Sequence, residues 1–179
     1  MKKHAVLSGM GRDRVGVADD LAAALDNLKI EIEDSRMSAL KGQFAVLVQI
    51  CGETENIDRL RRELRTVSES LGFRLQLQTI EATTRPVSTT QFMIESFSRG
   101  PSGIPAVTGV LKRHDINIED LETDASAESW TSKMTFHMKA RITLPQGCPV
   151  ARVKQELREL ERERNVDIVI EPLRSLVGA

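Results

Sequence analysis

The chain has 179 residues, of which 40% are hydrophobic and 28% charged, and this is the composition of a folded protein rather than a disordered one. A formal net charge of −1 and an aromatic content of 3% disfavour direct binding to the phosphate backbone of a nucleic acid. No apolar run approaches the roughly 20 residues that cross a bilayer, and no long apolar segment follows the basic start, so we expect a cytoplasmic protein that is neither exported nor embedded in a membrane.

The first half begins with a short apolar strand at residues 4–8, followed by a glycine-rich turn at residues 9–16. A helix, two strands, a second helix and a last strand follow, and Gly72 ends the second helix. The helices carry the apolar stripes Val17, Leu21, Leu25, Leu28 and Ile57, Leu60, Leu64, Val67, Leu71, and the strands cover residues 30–33, 44–50 and 73–78.

The second half repeats this order. The clearest sequence match between the halves is the run IEIED at residues 30–34, which corresponds to INIED at residues 116–120. Between the halves, residues 82–90 are rich in Thr and Ser around Pro86 and suit a linker. The second set of strands covers residues 91–97, 116–123, 134–142 and 166–170, the helices cover residues 104–114 and 150–160, and the glycine turn covers residues 99–103.

The order βαββαβ, found twice, predicts an α+β protein of two ferredoxin-like modules, each a four-stranded antiparallel sheet with two helices on one face. We expect the first module at residues 1–81, the linker at 82–90 and the second module at 91–179. A sheet with helices on one face leaves its other face and its edges uncovered, so we also expect a homo-oligomer.

The first glycine turn is the most informative segment for chemistry. Its glycines permit unusual backbone conformations, and the free N–H groups at the start of the next helix can receive a carboxylate or another anion. The alternative is a plain connection in which Asp13 caps the helix. The spacing GxGxxxxG is not the GxGxxG of dinucleotide-binding proteins.

Other reactive side chains are interpreted as structural or solvated. Cys51 and Cys148 lack metal-ligand spacing and are expected to be buried thiols, so no metal site is predicted. Paired acids and the RELERER run are interpreted as solvated charge, and no nucleophile with a base can be named. Trp130 is either an anchor between protomers or a turn residue. The three histidines, His4, His114 and His137, are expected to be structural or exposed to solvent.

The run Asp13-Arg14-Val15-Gly16, the run IEDSR at residues 32–36 and Gly42-Gln43-Phe44 together resemble an ACT domain. Two such domains in tandem, with nothing else, resemble the glycine cleavage system transcriptional repressor family. The resemblance implies a regulatory module that binds a small amino acid, glycine or serine, at an interface between modules. It also implies repression through contact with a DNA-bound regulator protein, without direct nucleic-acid binding and without enzymatic activity.

The resemblance places the ligand at the turn after each first strand and at the start of each second strand. Departures from the family pattern are Val15 in place of proline, Glu31 in place of asparagine, and a second turn without the Asp-Arg pair. The implied ligand-binding residues are Gly11, Asp13, Arg14, Val15, Gly16 and Glu31 in the first half, and Gly100, Pro101, Ser102, Gly103, Ile104 and Asn117 in the second.

Two other hypotheses remain open at this point. One is an interaction or scaffolding protein that kept the fold and lost the ligand, which Glu31 and the divided motifs favour. The other is a relative of the formyltetrahydrofolate or phosphoserine hydrolases that carry similar modules, and this one lacks any catalytic set to support it.

Overall fold

The structure is a computed structural model and describes residues 1–81, 90–100, 102–127 and 134–173. The chain divides into two compact units, Met1–Arg85 and Pro86–Ala179. Most of the predicted linker and also Trp130 and Pro101 lie outside the described residues, so the interpretations given to them stay predictions.

The first unit has the predicted order of elements. Its sheet runs β2-β3-β1-β4, and every neighbouring pair is antiparallel. The elements are β1 (Lys2–Arg12), α1 (Val17–Asn27), β2 (Glu31–Leu40), β3 (Gln43–Glu53), α2 (Thr54–Leu71) and β4 (Phe73–Ile80).

The second unit repeats the first, with the sheet order β6-β7-β5-β8 and antiparallel pairs throughout. Its elements are β5 (Gln91–Ser98), α3 (Gly103–Arg113), β6 (Asn117–Ala127), β7 (Met134–Thr143), α4 (Val150–Arg164) and β8 (Val166–Pro172). The predicted α+β fold of two ferredoxin-like modules is therefore confirmed. None of the helices in the described ranges is long and apolar enough to span a bilayer.

Each unit buries its own core between one face of the sheet and its two helices. In β1 the side chains of Ala5 and Leu7 face the helices and are fully buried, as the period of two requires. Among the described residues of the first unit no helix covers the opposite face, where apolar side chains such as Met10 and Leu47 are half exposed. The predicted helical stripes supply the other side of the first core, where Val17, Leu21, Leu25, Ile57, Leu60 and Leu71 are buried.

Strand β1 is longer than its sequence predicts. It extends to Arg12, so Gly9 and Gly11 lie within the strand, and the prediction that both belong to the turn is wrong. The reason is packing across the sheet, because a Cβ atom on Gly11 would overlap the ring of Phe73. The turn itself is therefore short and consists of residues 13–16.

An ion-pair cluster joins the two helices of the second unit. His114 Nε2 lies 2.9 Å from Glu156 Oε1, and Arg113 donates to Glu156 Oε2 over 3.2 Å. Burial raises the pKa of Glu156, but hydrogen bonds from His114 and Arg113 together outweigh it, so the pKa lies below its ordinary value. The carboxylate is thus more stable in the folded chain than in the unfolded one.

Glu156→Gln should therefore destabilise the second unit at neutral pH, where the wild-type side chain is ionised in both states. The stability difference from wild type should shrink as the pH falls below the ordinary carboxyl pKa and through the lower pKa of Glu156 in the folded chain, because the folded wild type then loses the same charge. Urea unfolding at several pH values measures it, with the exposed Glu159→Gln on the same helix as the control. An equal loss at acidic and neutral pH would contradict the assignment.

Candidate functional site

The first turn links β1 to α1 and is held by backbone hydrogen bonds. The N–H of Asp13 donates to the carbonyl of Gly42 over 2.9 Å, which ties the turn to the β2–β3 hairpin. Gly16 has φ +86 and stands at the start of α1, where the left-handed conformation favours glycine. Arg14 pairs with Asp20 Oδ2 at 2.6 Å, and Val15 is 99% exposed.

The start of α1 has no side-chain cap. The capping residue is Gly16, so the alternative in which Asp13 caps the helix is wrong. The N–H groups of the first helical turn therefore keep the partial positive charge that attracts an anion. Across the described ranges of the chain, no side chain pairs with the Asp13 carboxylate, which leaves it open to a cation beside the anion position.

The second turn, between β5 and α3, is used mainly for packing. Ser98 Oγ donates to the carbonyl of Gly100 over 2.7 Å. Gly103 is buried, and a Cβ atom there would collide with the Ser98 side chain. Ile104 packs against the second core, while Ser102 starts α3 without a side-chain hydrogen bond. Two of the residues predicted to bind a ligand thus serve the interior of the unit.

The predicted residues at the start of the second strands line equivalent grooves in the two units. Glu31 borders an open groove of about 550 Å³ between α1 and β2, together with Asp26 and Lys29. Asn117 borders a groove of about 350 Å³ between α3 and β6. Glu31 accepts a hydrogen bond from Lys2 Nζ at 3.3 Å, and this bond raises the pKa of Lys2.

Each module has its turn and its groove at opposite ends of the sheet. Glu31 pairs with Cys51, which pairs with His4 near the start of β1, whereas the turn follows Arg12 at the other end. Eight residue steps of β1 separate the two ends, or about 25 Å at 3.3 Å per residue. A single module therefore does not bring Asp13 and Glu31 together.

A group of side chains that the sequence analysis interprets as structural or solvated meets on the helix-free face of the first sheet. His4 Nδ1 lies 3.0 Å from Glu33 Oε2, and His4 Nε2 lies 3.9 Å from Cys51 Sγ. Gln49 Nε2 donates to Glu33 Oε2 over 2.7 Å. We call His4, Glu33 and Cys51 the strand cluster, because they come from three neighbouring strands.

Hydrogen bonds and burial set the charge states of the strand cluster. Hydrogen bonds from His4 and then Gln49 lower the pKa of Glu33 below its ordinary value. Burial, and next the negative charge of Glu33, raises the pKa of the Cys51 thiol. A β-bulge between Ile32 and Asp34 adds the extra residue that turns Glu33 toward His4. Sequence alone gave no signal for the bulge, and this is why the cluster was missed.

The helix-free face of the second sheet carries charged side chains from β7, as the alternation in that strand predicts, together with the exposed apolar side chains of Phe97 and Val169. Met138, Ala140 and Ile142 are buried on the helix side, while Lys139 lies on the other side with its amine 3.7 Å from Glu95. On the same face His137 stacks on Phe97 with ring centroids 4.3 Å apart, and Arg141 pairs with Asp120 at 3.6 Å.

Comparisons with known proteins agree with this architecture. Residues 3–78 match the model of the ACT domain. The chain is 20% identical over 163 residues to the glycine cleavage system transcriptional repressor of Escherichia coli K12, covering 90% of this chain and 86% of the relative. The relative of the same name from Shigella flexneri matches equally.

Two solved structures share the fold over almost the whole chain. An unknown protein from Galdieria sulphuraria is 28% identical with a TM-score of 0.82, covering 97% of this chain and 100% of its own. A candidate glycine cleavage system transcriptional repressor is 18% identical with a TM-score of 0.76, covering 98% and 99%. Residues 3–78 match the ACT-domain model, the second module repeats the same topology, and the chain as a whole resembles the glycine cleavage system transcriptional repressors.

Proposed function

We propose that this protein is an amino-acid-responsive regulator of glycine metabolism that acts in the cytoplasm through contact with a DNA-bound regulator protein. The relatives in Escherichia coli and Shigella flexneri, both glycine cleavage system transcriptional repressors, support a regulatory rather than a catalytic role. The net charge of −1 favours a protein partner over the phosphate backbone of DNA.

The first turn carries the proposal, because α1 starts there without a side-chain cap and Asp13, three residues before Gly16, has no side-chain partner among the described residues. A free amino acid is a zwitterion, so its carboxylate would accept hydrogen bonds from the first N–H groups of α1 and its ammonium group would face Asp13. Arg14 already neutralises Asp20 in the first helical turn, which limits repulsion of the ligand carboxylate. Glycine and serine are the proposed effectors.

The groove beside Glu31 supplies the second part of the proposed receptor. Since it lies at the far end of its own sheet, the turn of one module requires the groove of a different module, for which a homo-oligomer provides copies. In the second module Gly100, Ser102 and Asn117 remain candidate ligand contacts, whereas the packing of Gly103 and Ile104 favours the first turn as the functional one.

Thermal unfolding with a panel of free amino acids tests the proposal. A ligand at 100 times its dissociation constant adds about 2.7 kcal/mol to the stability of the folded state. We expect stabilisation by glycine or serine, lost in Asp13→Ala and retained in Ser102→Ala, which changes the second turn instead. A response that survives Asp13→Ala and disappears in Ser102→Ala would place the site in the second module.

The second candidate function is a ligand-free interaction protein. It is favoured by Glu31, which is held by Lys2 at a position where the family commonly has asparagine. In that case the same panel gives no shift for the wild type, and Asp13→Ala leaves assembly unchanged.

A further inference from the structure

We propose that the strand cluster of His4, Glu33 and Cys51 is a binding site for one divalent transition-metal ion of the Zn²⁺ class. The site lies on the helix-free face of the first module, and Glu31, which borders the groove of the receptor proposed above, pairs with the Cys51 strand position beside it. It draws one ligand from each of the strands β1, β2 and β3.

The spacing of the donor atoms fits such an ion after small rotamer changes. One imidazole nitrogen, one carboxylate oxygen and the Cys51 sulfur all lie within 4.8 Å of one another. Zinc bonds of 2.0–2.3 Å in a tetrahedron place donor atoms about 3.3 to 3.8 Å apart. The 3.0 Å contact to Glu33 is made by His4 Nδ1 and the 3.9 Å contact to Cys51 by His4 Nε2, so binding one ion through a single imidazole nitrogen requires a rotation of the ring.

The donor set selects the class of metal. Imidazole and thiolate are ligands of Zn²⁺ and its neighbours, whereas Mg²⁺ and Ca²⁺ take oxygen ligands. Three protein ligands leave a fourth position for water or for a group from a partner, the arrangement of an open rather than a closed zinc site. Gln49 fixes the Glu33 carboxylate by donating to it, which orients a ligand before the metal arrives.

The charges around the cluster suit a divalent cation. The carboxylates of Glu33 and Glu31 supply negative charge, as does Cys51 once a metal displaces its proton, and the Lys2 amine paired with Glu31 supplies one positive charge. Together with a doubly charged ion, these groups are neutral overall. Cys51 is 3% exposed, so the thiolate becomes stable at this position when a cation replaces the proton.

The second module has the same backbone without the same donors. In the first module His4 and Glu31 both pair with Cys51. At the equivalent positions of the second module, Gln91 and Asn117 both pair with Thr143. The β-bulge is repeated there between Ile118 and Asp120, so Glu119 corresponds to Glu33. The repeat thus retains the carboxylate and has glutamine and threonine where the first module has imidazole and thiol, which makes it an internal control.

Metal titration of the full chain tests the site. After dialysis against a chelator, calorimetry with Zn²⁺ alone should give one ion per chain, and Co²⁺ alone should give a thiolate-to-metal absorption band. Cys51→Thr and His4→Gln, which install the residues of the second module, should each weaken binding by more than about 100-fold, the upper range for loss of an orienting group. Cys148→Ser and His137→Gln should bind as the wild type does.

A variant that builds the three donor residues into the second module, called the transfer variant, tests the site without any substitution in the first module. Gln91→His combined with Thr143→Cys, with Glu119 retained, should raise the count from one ion to two. No binding by the wild type, unchanged binding in Cys51→Thr, or loss of binding in Cys148→Ser would overturn the proposal. A count of one in the transfer variant would contradict the claim that these three positions suffice. The amino-acid response of the wild type is measured in the presence of chelator, so failure of either proposal is seen separately.

Discussion

Leu60→Ala should lower the free energy of unfolding of the first unit by about 2 to 5 kcal/mol. Leu60 lies in α2, is fully buried and belongs to the core that α1 and α2 form with the sheet. Truncation removes apolar contacts and leaves a cavity that the neighbouring side chains fill only in part. A loss of that size is a large fraction of the roughly 5 to 15 kcal/mol that stabilise a domain.

Urea unfolding followed by circular dichroism measures the effect, with Val15→Ala as the control. Val15 is 99% exposed, so its truncation should change stability by less than about 0.5 kcal/mol. Equal effects of the two substitutions would contradict the placement of α2 on the sheet. Because the first turn and the Glu31 groove both depend on this unit, Leu60→Ala should also weaken the proposed amino-acid response.

The elements and the cores could be predicted from the sequence because they depend on local periodicity. The stripe that includes Ile57 and Leu60 has the spacing of one helix face, and both residues are buried. Likewise the alternation through Met138 and Ala140 gave the buried and open faces of β7 correctly. Such patterns need only near neighbours in the chain, and the repeat provided each of them twice.

The arrangement of the candidate sites depends on strand register, which the sequence does not contain. His4, Glu33 and Cys51 are far apart in the chain and meet only because β1 and β2 both pair with β3. A shift of one residue in either pairing would turn the side chains to the other face. For the same reason, the sequence did not indicate that Asp13 and Glu31 lie at opposite ends of one sheet.

The glycines of β1 show a second limit of prediction from sequence. Glycine is common in turns, so Gly9 and Gly11 were assigned to one, but both lie in the strand because large side chains on β4 fill the space beside them. The second unit has side chains of different sizes at the equivalent positions. Gly11 pairs with Phe73 at the end of β1, and the equivalent pair in β5 and β8 is Ser98 with Val166.

The smaller residue on β1 thus faces a larger residue on β4, and we therefore expect substitutions at Gly11 and Phe73 to have strongly coupled effects on stability. Gly11→Ser alone should destabilise the first unit by about 1 to 3 kcal/mol, because the new Cβ atom overlaps the Phe73 ring. Phe73→Val alone should also destabilise it, because a buried aromatic ring is lost. The double variant reproduces the Ser-Val pair of the second unit. Its loss of stability should be smaller than the sum of the losses in the two single variants.

A double-mutant cycle measured by urea unfolding gives the interaction energy, which we expect to favour the double variant by about 0.5 to 3 kcal/mol. Gly109→Ala is the control, since a Cβ atom there has free space on α3 and alanine should stabilise the helix by about 0.5 to 1 kcal/mol. Additive losses would mean that Gly11 is needed for the turn rather than for packing. In that case the small volume of Gly11 beside Phe73 would not be the reason that the first module has glycine at this position.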